Sequence, residues 1–145
     1  MVDDSLISNW GINEIYGLHN LPNLQVGEFA IKSGPLMAAS DFFEIIVEGK
    51  GGHAALPHFS NDTTLASSAI VLALQQIVSR RISALQAVVL SVTGLSTDTM
   101  AHNVTPDTVR ITGTTRFLDE VERQKMPENI KKTAQSTADA YGCTA

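Results

Sequence analysis

SDFFEIIVEGKGGHAALPH, residues 40–58, followed at once by FSNDTTLASSAIVLALQQIVSR, residues 59–80, decides the fold. The first run alternates and is rich in aromatic and β-branched residues up to Lys50, which reads as a strand over residues 42–50. Gly49, Gly51 and Gly52 then open a loop that Pro57 stiffens, and Asp62 stands where an N-cap belongs before an apolar-periodic run. A helix over residues 62–82 follows, with Leu65, Ala69, Leu72, Ala73, Ile77 and Val78 as its apolar stripe. His53 is therefore held in a loop between a strand and a helix, where chemistry commonly sits.

Downstream, QAVVLSV leads a strand over residues 87–93, TVRITGTTRF one over 108–117, and a charged amphipathic stretch a helix over 120–141 with Gly142 as its C-cap. Strand, helix, strand, strand, helix is most of a split β-α-β unit. The expected class is α+β: a ferredoxin-like domain with an antiparallel sheet and two helices on one face, its last strand largely missing after GCTA. Upstream, a weak helix over residues 2–9 and short strands over 14–20 and 27–33 supply too few elements for a core of their own. Residues 1–39 thus read as the tail of a larger domain. Residues 86–92 are apolar at nearly every position, which favours pairing of this edge with a second copy.

The net charge of −5, with dispersed basic residues, supplies no basic stripe, and no apolar run is long enough to cross a bilayer. Neither nucleic acid nor membrane is an expected partner. The opening MVDDSLISNW has no basic leader region, and the lone Cys143 makes neither a disulfide framework nor a C-x-x-C zinc site, so the cytoplasm is the expected compartment.

Five polar side chains could carry chemistry, each with an ordinary structural alternative. His19 ends the run EIYGLHN, where a metal ligand or a hydrogen-bonded structural histidine would both fit. His53 is either a ligand-facing group or an exposed loop histidine, and His58 beside it has the look of a surface residue. Asn103, in the pre-proline segment AHNVTPD with His102, could give an amide donor to an oxyanion or shape a turn. Arg116 could grip a carboxylate or pair with Asp119 or Glu120.

The succession YGLHNLPNLQVGEFAIKSGPLMAASDFFEIIVEGKGGHAALPH, a helix ending IVSRR, and NVTPDTVRITGTTRF resembles the metal-dependent aminoacylase and carboxypeptidase peptidases. The nearest branch is that of the hippurate hydrolases and indole-acetyl-amino acid amidohydrolases. The resemblance implies residues 1–39 as a remnant of a catalytic α/β domain and residues 40–145 as a lid and dimerisation domain, incomplete at its C-terminal end. It implies His19 as one metal ligand, His53 as a catalytic donor reaching the partner subunit's oxyanion, Asn103 as a second catalytic lid residue, and Arg116 as substrate-binding. It also implies divalent zinc, manganese, cobalt or nickel, N-acyl amino acid substrates, and a homodimer through the lid's edge strand. The family's HACGHD-like motif, glutamate pair and final ligand histidine have no counterpart here, so the chain alone is expected to be inactive and to bind metal weakly.

Two other readings carry different expectations. A standalone ferredoxin-like dimerisation or small-carboxylate-binding module would need no flanking catalytic sequence. An RNA-binding module of the same topology would need aromatic residues on the central strands and a basic face, and neither is present.

Overall fold

In the computed structural model, which describes residues 4–145, the alternating run becomes β1, Ala39–Glu48. Ile45 and Val47 are buried on one side, and Phe42 and Glu44 are exposed on the other. The central strand is β5, Thr108–Phe117, antiparallel to β1 on one flank and to β3, Val88–Thr97, on the other. Val109, Ile111 and Phe117 of β5 are buried beneath the helices, whereas Arg110 faces away and pairs with Glu44 of β1. A bulge between Val92 and Gly94 resets the pairing of β3. A separate two-residue ribbon joins β2, Gly52–His53, to β4, Val104–Thr105.

The first long helix, α2 (Thr63–Gln76), begins where Asp62 accepts hydrogen bonds from the Thr64 and Leu65 N–H groups at 2.9 and 3.0 Å. Its last turn passes into a π-helical turn, Ile77–Arg81. Asp119 caps α3, Glu120–Ala140, in the same way. Asp62→Ala is expected to cost about 1 kcal/mol, because two orphan N–H groups lose their acceptor; urea unfolding of the chain measures it.

The buried side of α2 differs from the expected stripe. Ala66, Ser67, Ile70, Leu74 and Ile77 are buried, whereas Leu65 and Leu72 lie exposed at 55% and 75%. Apolar residues occur around most of this helix, so a 3.6-residue period has little contrast to set its rotation. In α3 the buried set is Met126, Ile130, Thr133, Ala134 and Ala138, and the helix continues through Pro127. Both helices pack on one face of the sheet and on each other. A bidentate pair from Arg123 to Asp41, at 2.7 and 2.8 Å, ties α3 to β1 and holds the Asp41 carboxyl below its usual range.

The end of α3 is a Schellman turn. Cys143 N–H bonds the Ala138 carbonyl at 3.0 Å and Gly142 N–H bonds that of Asp139 at 3.1 Å, with Gly142 at φ +69°. The chain then turns onto the sheet, where Thr144 and Glu48 exchange two backbone hydrogen bonds of 2.8 and 2.9 Å. Beyond that bridge the outer edge of β1 has no strand partner among the described residues. An apolar groove of about 430 Å3 runs between this edge and α3, lined by Phe43, Ile45, Met126, Ile130, Ala134 and others. Three long strands with two helices on one face make the α+β arrangement expected from the sequence.

Residues up to Gly34 form a unit distinct from Pro35–Ala145. Of the expected helix over residues 2–9, Val2 and Asp3 lie outside the described residues, and α1 covers Leu6–Trp10. The strands expected over 14–20 and 27–33 are not formed: both runs are extended or irregular, joined by a turn in which Leu24 N–H bonds the Leu21 carbonyl at 3.1 Å. A strand needs a partner to take its ladder hydrogen bonds, and the described residues of this unit supply none. Ile15, Tyr16, Leu18, Phe29 and Ile31 are consequently exposed.

Candidate functional site

The glycine-opened loop is fastened by backbone contacts along its length. Gly49 N–H bonds the Asp107 carbonyl at 3.0 Å, Lys50 and Asn61 bridge, and Gly51 N–H bonds the Asp107 carboxylate at 2.8 Å. Two of the glycines are required by packing. A Cβ on Gly49 would stand 2.6 Å from the Asn61 carbonyl oxygen, and one on Gly51 would stand 2.5 Å from that of Thr105. Gly52 has ordinary room, its nearest neighbour being Ser60 Cβ at 3.7 Å. Glycine at positions 49 and 51 thus answers to the close approach of the chain to itself.

The ribbon brings His53 and Asn103 together. His53 pairs with Val104, and the next N–H, that of Ala54, bonds the Asn103 carbonyl at 2.9 Å. Both side chains are exposed. His53 Nδ1 accepts a hydrogen bond from Ala55 N–H at 3.1 Å. A ring nitrogen that accepts carries no proton, so in the neutral imidazole the proton sits on Nε2, which becomes a donor. His53 is thereby prepared to meet negative charge.

His19 has the opposite arrangement. Its Nδ1 lies 2.7 Å from the Asn20 carbonyl oxygen, which can only accept, so in the neutral ring Nδ1 carries the proton and Nε2 keeps a lone pair. That is the form in which an imidazole ligates a metal. Among the described residues, however, no three His, Cys, Asp or Glu side chains gather to hold an ion. Burial pushes the Cys143 thiol up, away from the thiolate that ligation would need.

Arg116 lies at the other end of β5, eight residues beyond Thr108, or roughly 26 Å along the strand from the ribbon end. Within one chain it is not gathered with His53 and Asn103. Its Nη1 donates to Thr114 Oγ1 and to the Thr115 carbonyl, while Asp119 caps α3 and Glu120 pairs with Arg123. The ion pair considered as its ordinary alternative is therefore not the one formed. His58 is exposed, its ring tilted against that of Phe59 with centroids 4.1 Å apart, and His102 is exposed. Asp107 was not singled out by the sequence; its place directly after Pro106 was the available signal.

A three-stranded antiparallel sheet under two helices, with a short ribbon at one end that exposes His53, is an α+β module. Residues 40–142 match the peptidase dimerisation domain family, and the chain belongs to that family, the dimerisation domain of the M20 peptidases. It is 44% identical over 93% of its length to an N-acetylcysteine deacetylase of Bacillus subtilis, covering 35% of that protein. It is 40% identical over 92% of its length to an N-acyl-L-amino acid amidohydrolase of Geobacillus stearothermophilus, covering 36% of it. Among solved structures it resembles the Bacillus subtilis YXEP protein, a dinuclear metal binding peptidase, with 31% identity and a TM-score of 0.70; the match covers 99% of this chain and 33% of that one. The chain spans about a third of the length of the curated relatives it matches. Among the described residues no helix is long and apolar enough to cross a membrane.

Proposed function

We propose that this chain is the lid and dimerisation segment of a metal-dependent amidohydrolase acting on N-acyl amino acids, and that His53 serves an active centre on the partner subunit. The observation that carries this reading is the pair of opposite imidazole tautomers: Nε2–H at His53 and a bare Nε2 at His19. Amide hydrolysis needs both kinds of group, a cation ligand and a donor for the oxygen on which negative charge develops. The names of the relatives favour small N-acyl substrates. Asn103, held one residue from His53 across the ribbon, is a second donor to the same oxyanion, and Arg116 is a carboxylate grip at the opposite end of the sheet. A divalent zinc, manganese, cobalt or nickel ion would polarise the amide carbonyl in the complete enzyme, with His19 as one of several ligands.

The homodimer forms through the free edge of β3, whose Val89 is 49% exposed. An apolar strand edge in a family of dimerisation domains is the surface most in need of cover. Light scattering of the 145-residue chain is expected to give a dimer mass, and Val89→Lys to shift it to the monomer. A wild-type chain that stays monomeric at high concentration sinks the edge-pairing reading. The purified chain is also expected not to hydrolyse N-acetyl or N-benzoyl amino acids with added manganese or zinc. Turnover above that of His19→Ala would overturn its role as an accessory segment.

A further inference from the structure

We propose that Asp107 is a positioning residue for His53, holding the donor at the height the partner's active centre requires; this rests on the role given to His53 above. The ribbon that carries His53 has only two residue pairs, Gly52 with Thr105 and His53 with Val104. So short a pairing does not hold itself in water. Beside the Lys50–Asn61 bridge and the Ala54–Asn103 bond, Asp107 holds the strand that leads into it. Its Oδ1 accepts Gly51 N–H at 2.8 Å and its carbonyl accepts Gly49 N–H at 3.0 Å, so a single residue grips both sides of Lys50. The carboxylate bond is charge-assisted and therefore stronger than a neutral one. No ion pair of Asp107 is found among the described residues, so this N–H is the use the structure makes of its charge.

Asp107 is itself anchored. The carbonyl of the preceding Pro106 accepts the Thr63 hydroxyl at 2.8 Å, and Thr63 is fully buried in the first turn of α2. The absence of a side chain on Gly51 is what allows the approach, since a Cβ there would lie 3.0 Å from Asp107 N and 3.1 Å from its Oδ1. A strut thus runs from α2 through Pro106 and Asp107 to Gly51, two residues before His53. Losing its last link lets the ribbon shift, and a misplacement of about 1 Å in a catalytic group costs about 10²-fold in rate.

The test is made in a full-length enzyme carrying this segment, with His53→Ala, Asp107→Ala, Asp107→Asn and the double alanine variant. Asp107→Ala is expected to lower kcat about tenfold to 10²-fold with little change in KM. Asp107→Asn, which keeps an Oδ1 acceptor, is expected to recover most of that loss. The double variant is expected to be no slower than His53→Ala alone. If His53→Ala leaves kcat intact, the role of His53 itself fails. If His53→Ala is slow but Asp107→Ala is not, or the two losses multiply, the positioning role of Asp107 is overturned. Should Asp107→Ala misfold in the enzyme, amide hydrogen exchange of the 145-residue chain decides with Asp107→Asn as reference. Faster exchange at Gly51 and Ala54, with Val109 and Ile111 unchanged, supports the strut, and unchanged Gly51 and Ala54 refute it.

Discussion

Replacing His53 by alanine is expected to lower kcat of the full-length enzyme by about 10²–10³-fold, the usual loss when one oxyanion donor is removed. KM should change little, because the charge that His53 meets is absent from the ground-state amide. The exposed imidazole touches no core residue, so the dimer and its melting temperature should be retained. Because His53 is proposed to act across the subunit boundary, mixing restores what each variant lacks. In a heterodimer of His53→Ala with His19→Ala, one centre combines an intact His19 with the other chain's intact His53. Random reassociation makes half of the dimers mixed, with one of two centres competent, so turnover should return to roughly a quarter of wild type. Recovery no better than the sum of the two inactive variants would place His53 in its own subunit's centre, or in none.

The second large effect concerns stability. Ile111 sits in mid-β5, fully buried, with Ile45 opposite it on β1 and Leu95 on β3. It has strands on both sides and helices above, so the surroundings cannot collapse into the space that truncation leaves. Ile111→Ala is expected to lower the unfolding free energy by roughly 2–5 kcal/mol, a large share of the 5–15 kcal/mol typical of a domain. Urea denaturation reads this as a lower midpoint at constant slope. A loss below about 1 kcal/mol would show that the central strand relaxes far more than close packing allows. Leu72→Ala, on the exposed face of α2, is the matched control, and in the monomer its cost should be small.

Much of the fold was legible because alternation has a period of two and leaves little freedom. β5 was read to the residue at Thr108 and Phe117, since its buried and open positions alternate without a break. Asp62 and Gly142 marked helix ends through chemistry that is local to a few residues, whereas the cap at Asp119 was not read. The rotation of α2 was not legible, because Leu65, Leu72 and Leu74 are alike in sequence and only the sheet decides which is covered. β3 runs on to Thr97, past the expected limit, because the bulge at Thr93 lets pairing resume beyond Gly94. The candidate histidines could be found from their loops, but their tautomers could not. Those depend on single contacts with Ala55 N–H and the Asn20 carbonyl that no spacing reveals. Arg116 shows a further limit: residues grouped by motif can stand at opposite ends of one strand, as far apart as the strand is long.

Among the described residues the sheet has two open sides, and they are not alike. β3 offers one free edge, and β1 offers the other along Asp41–Ile46, beyond the Thr144 bridge. Two copies that join β3 to β3 are related by a two-fold axis, and the assembly closes at two. A copy that sets its β3 against the β1 of another leaves a fresh β1 and a fresh β3 at the ends, and the chain of contacts has no natural stop. Whatever lies along β1 in an intact enzyme therefore does more than fill a groove, because it turns a surface that could polymerise into one that can only pair.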